Sequence, residues 1–219
     1  MAMRWGWVAA VAAAWMIAMA AVPLQATLGV DVSQLTSESS FRCLVSNGYH
    51  FAIARGFQST GRVDPEVLST LANAWAGGMS DVDVYMFPCP TCGDCAGQAR
   101  TAVQHLQDNH ARFGMFWLDI EGSQYWTDMG SNRNCFSELA STAESMGVKV
   151  GVYTSASQWL PIMGDWAGGA KYPLWYAHYD GTTNYNDFSA FAGWSRPAIK
   201  QFAGDATVCG AGVDKNWYP

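Results

Sequence analysis

The sequence predicts an α/β fold in which parallel strands close into a barrel with an irregular last third. Strand-like and helix-like segments alternate from Leu28 to Thr154. After Gln158 the helices become short or vanish, although three more strand-like segments follow. Eight strands, with full helices only after the first several, favour a barrel whose last part departs from the regular strand–helix repeat.

Short apolar runs rich in Val, Ile, Tyr, Phe and Trp predict the strands of this barrel. The eight runs are residues 28–32, 51–57, 82–87, 115–121, 148–154, 174–179, 198–202 and 213–217. The run at 115–121 begins with side chains that are apolar on both faces of the strand. This is expected for an interior strand of a parallel sheet.

Four longer segments between the first five strands predict helices. They are residues 39–46, 64–76, 96–109 and 135–146. Pro65 stands in the first turn of the second helix, where its missing N–H is tolerated, and Gly77 ends that helix. Val103 and Leu106 belong to an apolar stripe on the third helix, and Gly147 ends the fourth.

The amino terminus predicts a secretory signal peptide over residues 1–26. Arg4 is the only charged residue in this segment, and residues 5–24 are apolar, Gly or Pro throughout. Pro23 breaks the apolar run, and Ala26 is a plausible cleavage residue. A retained membrane anchor is the alternative, because the run is about long enough to span a bilayer.

Cleavage after Ala26 leaves a single domain, residues 27–219, which is long enough to bury a proper core. The loss of Arg4 takes the formal net charge at pH 7 from −6 to −7, and an acidic chain argues against nucleic acid as a partner. Once the leader is removed, we expect a monomer without membrane association. The leader predicts secretion, or delivery to a lysosome or phagosome through the secretory pathway.

All six cysteines follow the predicted cleavage site, and an even number in a secreted chain indicates disulfides. Three of them form a cluster, Cys89-Pro-Thr-Cys92-Gly-Asp-Cys95, which could instead be a zinc or redox motif. No histidine adjoins this cluster to serve as a fourth metal ligand. Disulfides are therefore predicted. The six cysteines are Cys43, Cys89, Cys92, Cys95, Cys135 and Cys209.

Two carboxylates, Asp119 and Glu121, stand at the end of the fourth predicted strand. Side chains at i and i+2 of a strand point to the same face, so both should look into the same space. Burying two carboxylates close together is unfavourable, which indicates a functional reason. Gly122, Tyr125 and Trp126 follow, and paired acids beside aromatic rings are the pattern of a sugar-cleaving site. The alternative is an aspartate that caps the next helix and a glutamate in a surface loop.

The carboxyl ends of barrel strands meet at one rim, where the active sites of such barrels lie. Carboxylates, aromatic rings and other polar side chains fall at the predicted strand ends. They are Asp31, Arg55, Tyr85, Asp119, Glu121, Tyr153, Trp175, Gln201 and Asp214. Carboxylates bind hydroxyls and move protons, and aromatic faces stack on sugar rings. Core packing is the alternative for each aromatic residue, and a turn or a helix cap is the alternative for Asp31 and Asp214.

Four motifs in this order resemble the glycoside hydrolase family 25 lysozymes of the Chalaropsis type. They are GVDVS at residues 29–33, WLDIEG at 117–122, GVYT at 151–154 and GVDKNW at 212–217. The similarity spans about residues 28–218. The invertebrate and protist branch of the family is most similar, on the segments 51–55, 153–159 and 172–179.

The resemblance implies a flattened TIM-like barrel of α/β class, (βα)5 followed by three β-strands. It implies a lysozyme that hydrolyses the β-1,4 bond between N-acetylmuramic acid and N-acetylglucosamine in bacterial peptidoglycan, with no metal or cofactor, in antibacterial defence or in digestion of bacteria. Position by position, it makes Glu121 the proton donor, Asp119 its partner, and Asp31 and Asp214 the rest of an acidic cluster. The side chains expected to bind substrate are Tyr85, Tyr153, Trp175, Arg55 and Gln201.

Two other functions are compatible with such a barrel. A chitinase-like hydrolase of the Asp-x-x-Asp-x-Asp-x-Glu type would need acids at two positions where Gly114 and Trp117 stand. A non-catalytic sugar-binding protein is the second alternative, and the presence of all four acids argues against it.

The predicted barrel also suggests how the cysteines pair. The predicted pairs are Cys43 with Cys209, Cys95 with Cys135, and Cys89 with Cys92. The first pair joins segments beside strands one and eight, which are neighbours in a closed barrel. The second joins the starts of consecutive helices.

Overall fold

The structure is a computed structural model that describes residues 26–219. The predicted signal peptide, residues 1–26, therefore lies outside the described residues apart from Ala26. Within residues 26–219, no helix is both long enough and apolar enough to cross a membrane.

Nine strands form one sheet in the described part of the chain, and eight of them close into a barrel. The strands are β1 (Thr27–Val32), β2 (Tyr49–Gln58), β3 (Arg62–Val63), β4 (Asp81–Met86), β5 (Met115–Asp119), β6 (Lys149–Thr154), β7 (Leu174–Ala177), β8 (Ile199–Val208) and β9 (Ala211–Tyr218). The order around the barrel is β1-β9-β8-β7-β6-β5-β4-β2, and a parallel β1–β2 pairing completes the circle. The short strand β3 pairs only with β2, as an antiparallel hairpin.

Five α-helices of the described residues connect the early strands. They are α1 (Glu38–Ser46), α2 (Val67–Ala76), α3 (Cys95–Asp108), α4 (Met129–Ser145) and α5 (Ala156–Met163). One helix follows each of β1, β2 with its hairpin, β4, β5 and β6, and no α-helix follows β7 or β8. This confirms the fold that the resemblance implied, five βα units followed by three strands.

The helix α4 begins at Met129 rather than at residue 135 as predicted. The side chain of Asp128 caps it, because one carboxylate oxygen accepts hydrogen bonds from the backbone N–H groups of Gly130 and Ser131, both at 3.0 Å. An aspartate just before a helix satisfies N–H groups that have no partner within the helix. The polar first turn that follows Asp128 hides this start from a search for apolar periodicity.

The pattern of apolar residues alone does not predict α5. Pro161 lies inside this helix, and proline normally breaks a helix because it lacks the N–H donor. The helix forms here because Trp159, Ile162 and Met163 are all buried beneath it. Tertiary packing of one apolar face therefore outweighs the local preference.

The strand β9 runs antiparallel to both of its neighbours, β1 and β8, so the prediction of parallel strands is wrong here. Only Cys209 and Gly210 separate β8 from β9, and so short a link can join antiparallel strands only. The first half of β9 therefore reaches the rim at which the other strands end. Asp214 lies opposite Asp31 of β1 in this ladder.

Large side chains fill the inside of the barrel. Residues that face inward from neighbouring strands form an apolar cluster, which consists of Phe51, Ile53, Tyr85, Trp117, Tyr153, Trp175 and Ile199. Gly151 of β6 makes room for this layer, because a Cβ at that position would lie 2.3 Å from the indole ring of Trp117. A second, larger core packs the outer faces of the strands against the helices.

Three disulfides join Cys43 to Cys209, Cys95 to Cys135 and Cys89 to Cys92, which confirms the predicted pairing. The first ties α1 to the β8–β9 turn across 166 residues of sequence. A native disulfide typically stabilises a fold by about 2–4 kcal/mol, mainly by restricting the unfolded chain. All six cysteines are paired, which leaves no thiolate for the alternative zinc site.

Candidate active site

The structure brings the four predicted carboxylates together at the rim of the barrel. Asp31 belongs to β1, Asp119 ends β5, Glu121 follows β5, and Asp214 belongs to β9. Burial raises the pKa of each of them above its usual range. The negative charges of other members add to this effect for Asp31, Asp119 and Glu121. These carboxyls therefore hold protons at a higher pH than exposed carboxyls do.

Asp31 is held by two side-chain amides. Its Oδ2 accepts hydrogen bonds from Nε2 of Gln201 at 2.8 Å and from Nδ2 of Asn216 at 2.6 Å. Burial, and next the charge of Asp214, raise the pKa of Asp31 to about 7, although the two amides work in the opposite direction. This carboxyl is thus oriented by its neighbours and changes its protonation near neutral pH.

Gln201 is the centre of the hydrogen-bond network under the site. Its Nε2 donates to Asp31 and, at 3.3 Å, to Oδ2 of Asp214. Its Oε1 accepts from the hydroxyls of Tyr153 at 2.7 Å and Tyr179 at 2.9 Å. Because both ends of the amide are used and the side chain is buried, Gln201 is built to position its neighbours rather than to bind sugar directly.

Asp119 has a buried oxygen that lacks a partner. Its side chain is 3% exposed, and Oδ1 has no hydrogen-bond partner among the described residues. Burial, followed by the charges of Glu121 and Asp31, raises its pKa well above the usual range. Buried polar atoms are nearly always hydrogen-bonded, so an unpartnered carboxylate oxygen at this position indicates a functional role for Asp119.

Glu121 lies just beyond the end of β5, not within the strand as predicted, and its side chain is half-buried. Two side chains hold the backbone around Glu121. The indole Nε1 of Trp126 donates a hydrogen bond to the Glu121 carbonyl at 2.9 Å. The side-chain Oε1 of Gln158 accepts one from the backbone N–H of Gly122, also at 2.9 Å. Burial, and after it the charge of Asp214, raise the pKa of its carboxyl. A fixed carboxyl with a raised pKa is suited to donate a proton.

The three predicted aromatic residues form the floor of the site. Tyr85, Tyr153 and Trp175 are 8%, 6% and 2% exposed, so Trp175 offers almost no surface to a ligand. Its indole Nε1 donates to Oδ1 of Asn216 at 2.7 Å, and its ring packs edge-to-face on Trp117 and Tyr153. The tyrosines lie nearer the surface of this floor, and Trp175 supports them from below.

Arg55 lies beside the acidic cluster but is bound to other groups. Its Nε donates to Oδ2 of Asp64 at 2.7 Å, and its guanidinium also donates to the backbone carbonyl of Ser33. Its charge lowers the pKa of Asp119, although less than burial raises it. Arg55 therefore acts as a fixed positive charge at the edge of the cluster.

Two clefts open at the rim, on opposite sides of the barrel. The first, of about 390 Å³, is lined by Asp31, Tyr85 and Asp214 together with residues of the β8–β9 hairpin such as Asp205 and Thr207. The second, of about 490 Å³, is lined by segments that follow β4, β5 and β6, and it includes Glu121. A sugar chain laid across both clefts would pass over the acidic cluster.

Sequence reasoning missed three residues that shape the site: Asn216, Tyr179 and Gln158. Trp126 is marked in the sequence as an aromatic neighbour of the acidic pair, but its hydrogen bond to the Glu121 carbonyl is not. Asn216 could have been found, because it stands two positions after Asp214 and so shares its face of β9. Nothing in the local sequence marks the other two, because Tyr179 acts on Gln201, which a different segment supplies, and Gln158 acts on a backbone N–H group.

The described residues contain one group that resembles a metal site, formed by His178, Asp180 and Asp187. The buried ammonium of Lys200 already lies among these groups, with Nζ at 2.8 Å from Oδ2 of Asp180 and 2.7 Å from Oδ1 of Asp187. Lys200 thus supplies the positive charge that these carboxylates need. The group ties the loop after β7 to β8 rather than offering a vacant cation site.

Comparisons with known proteins agree with this geometry. A family model described as "Lysozyme-like protein 1" matches residues 23–202. A Dictyostelium discoideum protein named "Probable GH family 25 lysozyme 2" is 52% identical over 196 residues, which cover 90% of this chain and 92% of the relative. A Caenorhabditis elegans protein named "Lysozyme-like protein 5" is 35% identical, with 87% and 91% covered.

A solved structure has the same fold at lower sequence identity. The bacterial lysozyme from Streptomyces coelicolor superposes with a TM-score of 0.71 and 21% identity, over 89% of this chain and 93% of that one. At this identity the likeness shows the fold alone.

Proposed function

This chain belongs to the glycoside hydrolase family 25 lysozymes, and from that membership we propose that it is a secreted lysozyme. Its substrate is the β-1,4 bond between N-acetylmuramic acid and N-acetylglucosamine in bacterial peptidoglycan. The observation that carries the proposal is the set of four buried or half-buried carboxylates at one rim, with raised pKa values and a free oxygen on Asp119.

In this proposal Glu121 is the general acid. It gives its proton to the glycosidic oxygen as the bond to the anomeric carbon breaks. Its raised pKa supports the role, because a carboxyl of ordinary pKa would already be ionised near neutral pH. Two hydrogen bonds fix the backbone that carries the Glu121 side chain. Trp126 donates one to the Glu121 carbonyl, and Gln158 accepts the other from the Gly122 N–H.

The role proposed for Asp119 follows from its unpartnered oxygen. The sugar to be cleaved carries a 2-acetamido group, whose N–H can donate to the carboxylate of Asp119. The acetamide carbonyl oxygen is then oriented to attack the anomeric carbon from within the sugar. Asp119 stabilises the positive charge that develops on the acetamide, and water later opens the ring that forms. This path gives net retention without an enzyme nucleophile.

Asp31 and Asp214 complete the site in this proposal by positioning the sugar, and the charge of Asp214 also raises the pKa of the acid. Gln201 connects the two carboxylates through hydrogen bonds at 2.8 and 3.3 Å and keeps Tyr153 in place. Both aspartates are thereby held at fixed positions beneath the bound sugar. We propose no metal or cofactor.

Secretion is supported by two features of the chain. Residues 1–26 have the pattern of a signal peptide. Three disulfides are typical of proteins that fold in an oxidising compartment. We propose that the mature protein, residues 27–219, acts as a monomer outside the cell or in a phagosome or lysosome, either in antibacterial defence or in digestion of bacteria.

The function is tested by lysis assays on two polymers. The mature protein is expected to clear a suspension of bacterial cell walls and to release reducing N-acetylmuramic acid ends, while chitin particles remain intact. Hydrolysis of chitin in preference to walls would favour the chitinase-like alternative. Binding to walls without any cleavage would favour the non-catalytic sugar-binding alternative.

We expect a bell-shaped pH–rate profile with an optimum below neutral pH. On the alkaline side activity falls as the Asp119–Glu121 pair loses the proton that Glu121 donates, and on the acid side it falls as both carboxyls of this pair become protonated. Initial rates on a soluble peptidoglycan fragment measure the profile at constant ionic strength. Asp214→Asn removes a charge that raises the pKa of Glu121, so its alkaline limb should move to lower pH. An optimum above about pH 7.5 would contradict the carboxyl donor.

A further inference from the structure

A second cleft adjoins the proposed proton donor, on the far side of the rim from Asp31 and Asp214. Glu121, Gly122 and Tyr125 line it from the segment after β5, and Phe87 lines it from the end of β4. Its volume is about 490 Å³, which is ample for one sugar ring. The cleft with Asp31 and Asp214 lies on the opposite side, because β1 and β9 are across the barrel from β5 and β6.

The position of Glu121 decides which part of the substrate this second cleft can take. The sugar that develops positive charge must lie among Asp119, Asp31 and Asp214, where negative charge is concentrated. The general acid must touch the oxygen that leaves with the next sugar. The leaving sugar therefore extends from Glu121 into the second cleft, away from the acidic cluster.

The second cleft contains an aromatic pair suited to a sugar ring. Tyr125 is 40% exposed, and its ring meets that of Phe87 edge-to-face with a centroid distance of 5.2 Å and an interplanar angle of 80°. An edge-to-face pair leaves at least one face of each ring free for another apolar surface. The exposed ring of Tyr125, beside the half-buried ring of Phe87, is a surface on which the C–H face of a pyranose can stack.

Gly122 holds Tyr125 in this place. Its φ is +65°, and a Cβ at this position would lie 2.7 Å from Cδ2 of Tyr125. Only glycine allows both the left-handed backbone and the close approach of the ring. The turn that begins directly after Glu121 therefore fixes the aromatic ring relative to the proposed acid.

Polar groups on the same cleft suit the hydroxyl and acetamido groups of a sugar. Gln158 uses Oε1 to accept from the N–H of Gly122, which leaves its two Nε2 donors available to a ligand. Ser123, Gln124 and Ser157 line the cleft as well. No charged side chain other than Glu121 lines it, so it is matched to a neutral sugar rather than to the carboxylate of a peptide stem.

We propose that Phe87 and Tyr125 form the binding subsite for the leaving-group sugar, an N-acetylglucosamine residue whose 4-oxygen receives the proton of Glu121. This subsite rests on the lysozyme function proposed above, because that function determines which sugar leaves with the glycosidic oxygen. Stacking in this subsite holds the leaving oxygen against the acid, so its loss lowers the rate of cleavage as well as affinity.

The test compares two substrates that differ only in the leaving group. One is the tetrasaccharide of alternating N-acetylglucosamine and N-acetylmuramic acid, in which a sugar leaves. The other is the β-glycosyl fluoride of the corresponding disaccharide, in which fluoride leaves and the subsite stays empty. Tyr125→Ala and Phe87→Ala are expected to lower kcat/KM for the tetrasaccharide at least about tenfold and to change that for the fluoride less than about twofold.

Two control variants separate this role from damage to the fold. Tyr125→Phe keeps the ring and should retain most of the activity on both substrates. Met129→Ala removes an exposed apolar side chain that follows Tyr125 closely in sequence. Met129 does not line the cleft, so this variant should leave both rates unchanged. Equal losses on the two substrates, or no loss on the tetrasaccharide, would overturn the subsite.

A wild-type protein that cleaves neither substrate would refute the lysozyme function itself. In that case a binding experiment tests whether the subsite exists. N,N′-diacetylchitobiose is added, and its binding is monitored by the backbone amide signals of residues 122–125 in NMR spectra. If the disaccharide shifts these signals in the wild type but not in Tyr125→Ala, the sugar site is sustained. Signals that do not move with the disaccharide would overturn it.

Discussion

Glu121→Gln is expected to reduce wall lysis at least about a hundredfold while the protein stays folded, since general acid catalysis typically contributes on the order of 10²–10⁴-fold. Glutamine keeps the shape of the side chain and removes the proton that the leaving oxygen needs. The substitution also removes one of the charges that raise the pKa of Asp119, so the folded state should not be weakened. Activity, not stability, is therefore the property that should change.

The measurement is the rate of wall clearance by the variant and the wild type, together with their thermal unfolding. Glu138→Gln is the matched control, because Glu138 is exposed on α4 and lies outside both clefts. This control should clear walls at the wild-type rate. If Glu121→Gln retained near-normal lysis, another group would have to be the proton donor.

The second large effect concerns the substrate. Replacing the 2-acetamido group of the cleaved sugar with a hydroxyl is expected to slow cleavage by the wild type on the order of a hundredfold or more, because an internal nucleophile held in place is lost. The structure motivates this expectation through Asp119, a buried carboxylate at the rim with an oxygen that no described residue hydrogen-bonds. Asp119 and Glu121 also leave the barrel next to each other, so neither is placed across the scissile bond from the other.

Asp119→Asn links this effect to one side chain. If Asp119 acts through the acetamide, the variant should lose much activity on the natural substrate and little further activity on the hydroxyl analogue. Comparable cleavage of both substrates by the wild type would refute the neighbouring-group path. So would a covalent sugar adduct trapped on Asp119 or another carboxylate, which marks an enzyme nucleophile.

The position of the acidic pair could be predicted from the sequence because it depends on local geometry. Alternation along a strand places Asp119 and Glu121 on one face whatever the rest of the chain does, and the structure differs only in ending β5 at Asp119. The glutamate still lies at the same rim, because Ile120 donates its N–H to the Tyr153 carbonyl of β6 and so extends the pairing. The Cys43–Cys209 pair followed from the neighbouring positions of the first and last strands in a closed barrel, and the Cys95–Cys135 pair followed from the order of the helices.

The surroundings of these acids could not be predicted in the same way. Gln201 and Asn216 reach Asp31 across 170 and 185 residues of sequence, and this contact exists only after β1, β8 and β9 have paired. The depth of Trp175, which leaves it 2% exposed, likewise depends on the rings above and beside it.

The sequence by itself determined the order of the barrel strands and of helices α1 to α4, and it placed Asp31, Asp119 and Glu121 at one rim, because side-chain alternation and turn chemistry are local properties of the chain. Asp214 reaches that rim only because β9 is antiparallel to its neighbours. The tertiary structure alone decided the direction of β9, the partners of Asp31, the unpartnered oxygen of Asp119 and the cleft that Phe87 and Tyr125 share. These features depend on the register and burial of segments far apart in sequence. Many long-range contacts set that register together, so no single stretch of the chain encodes it.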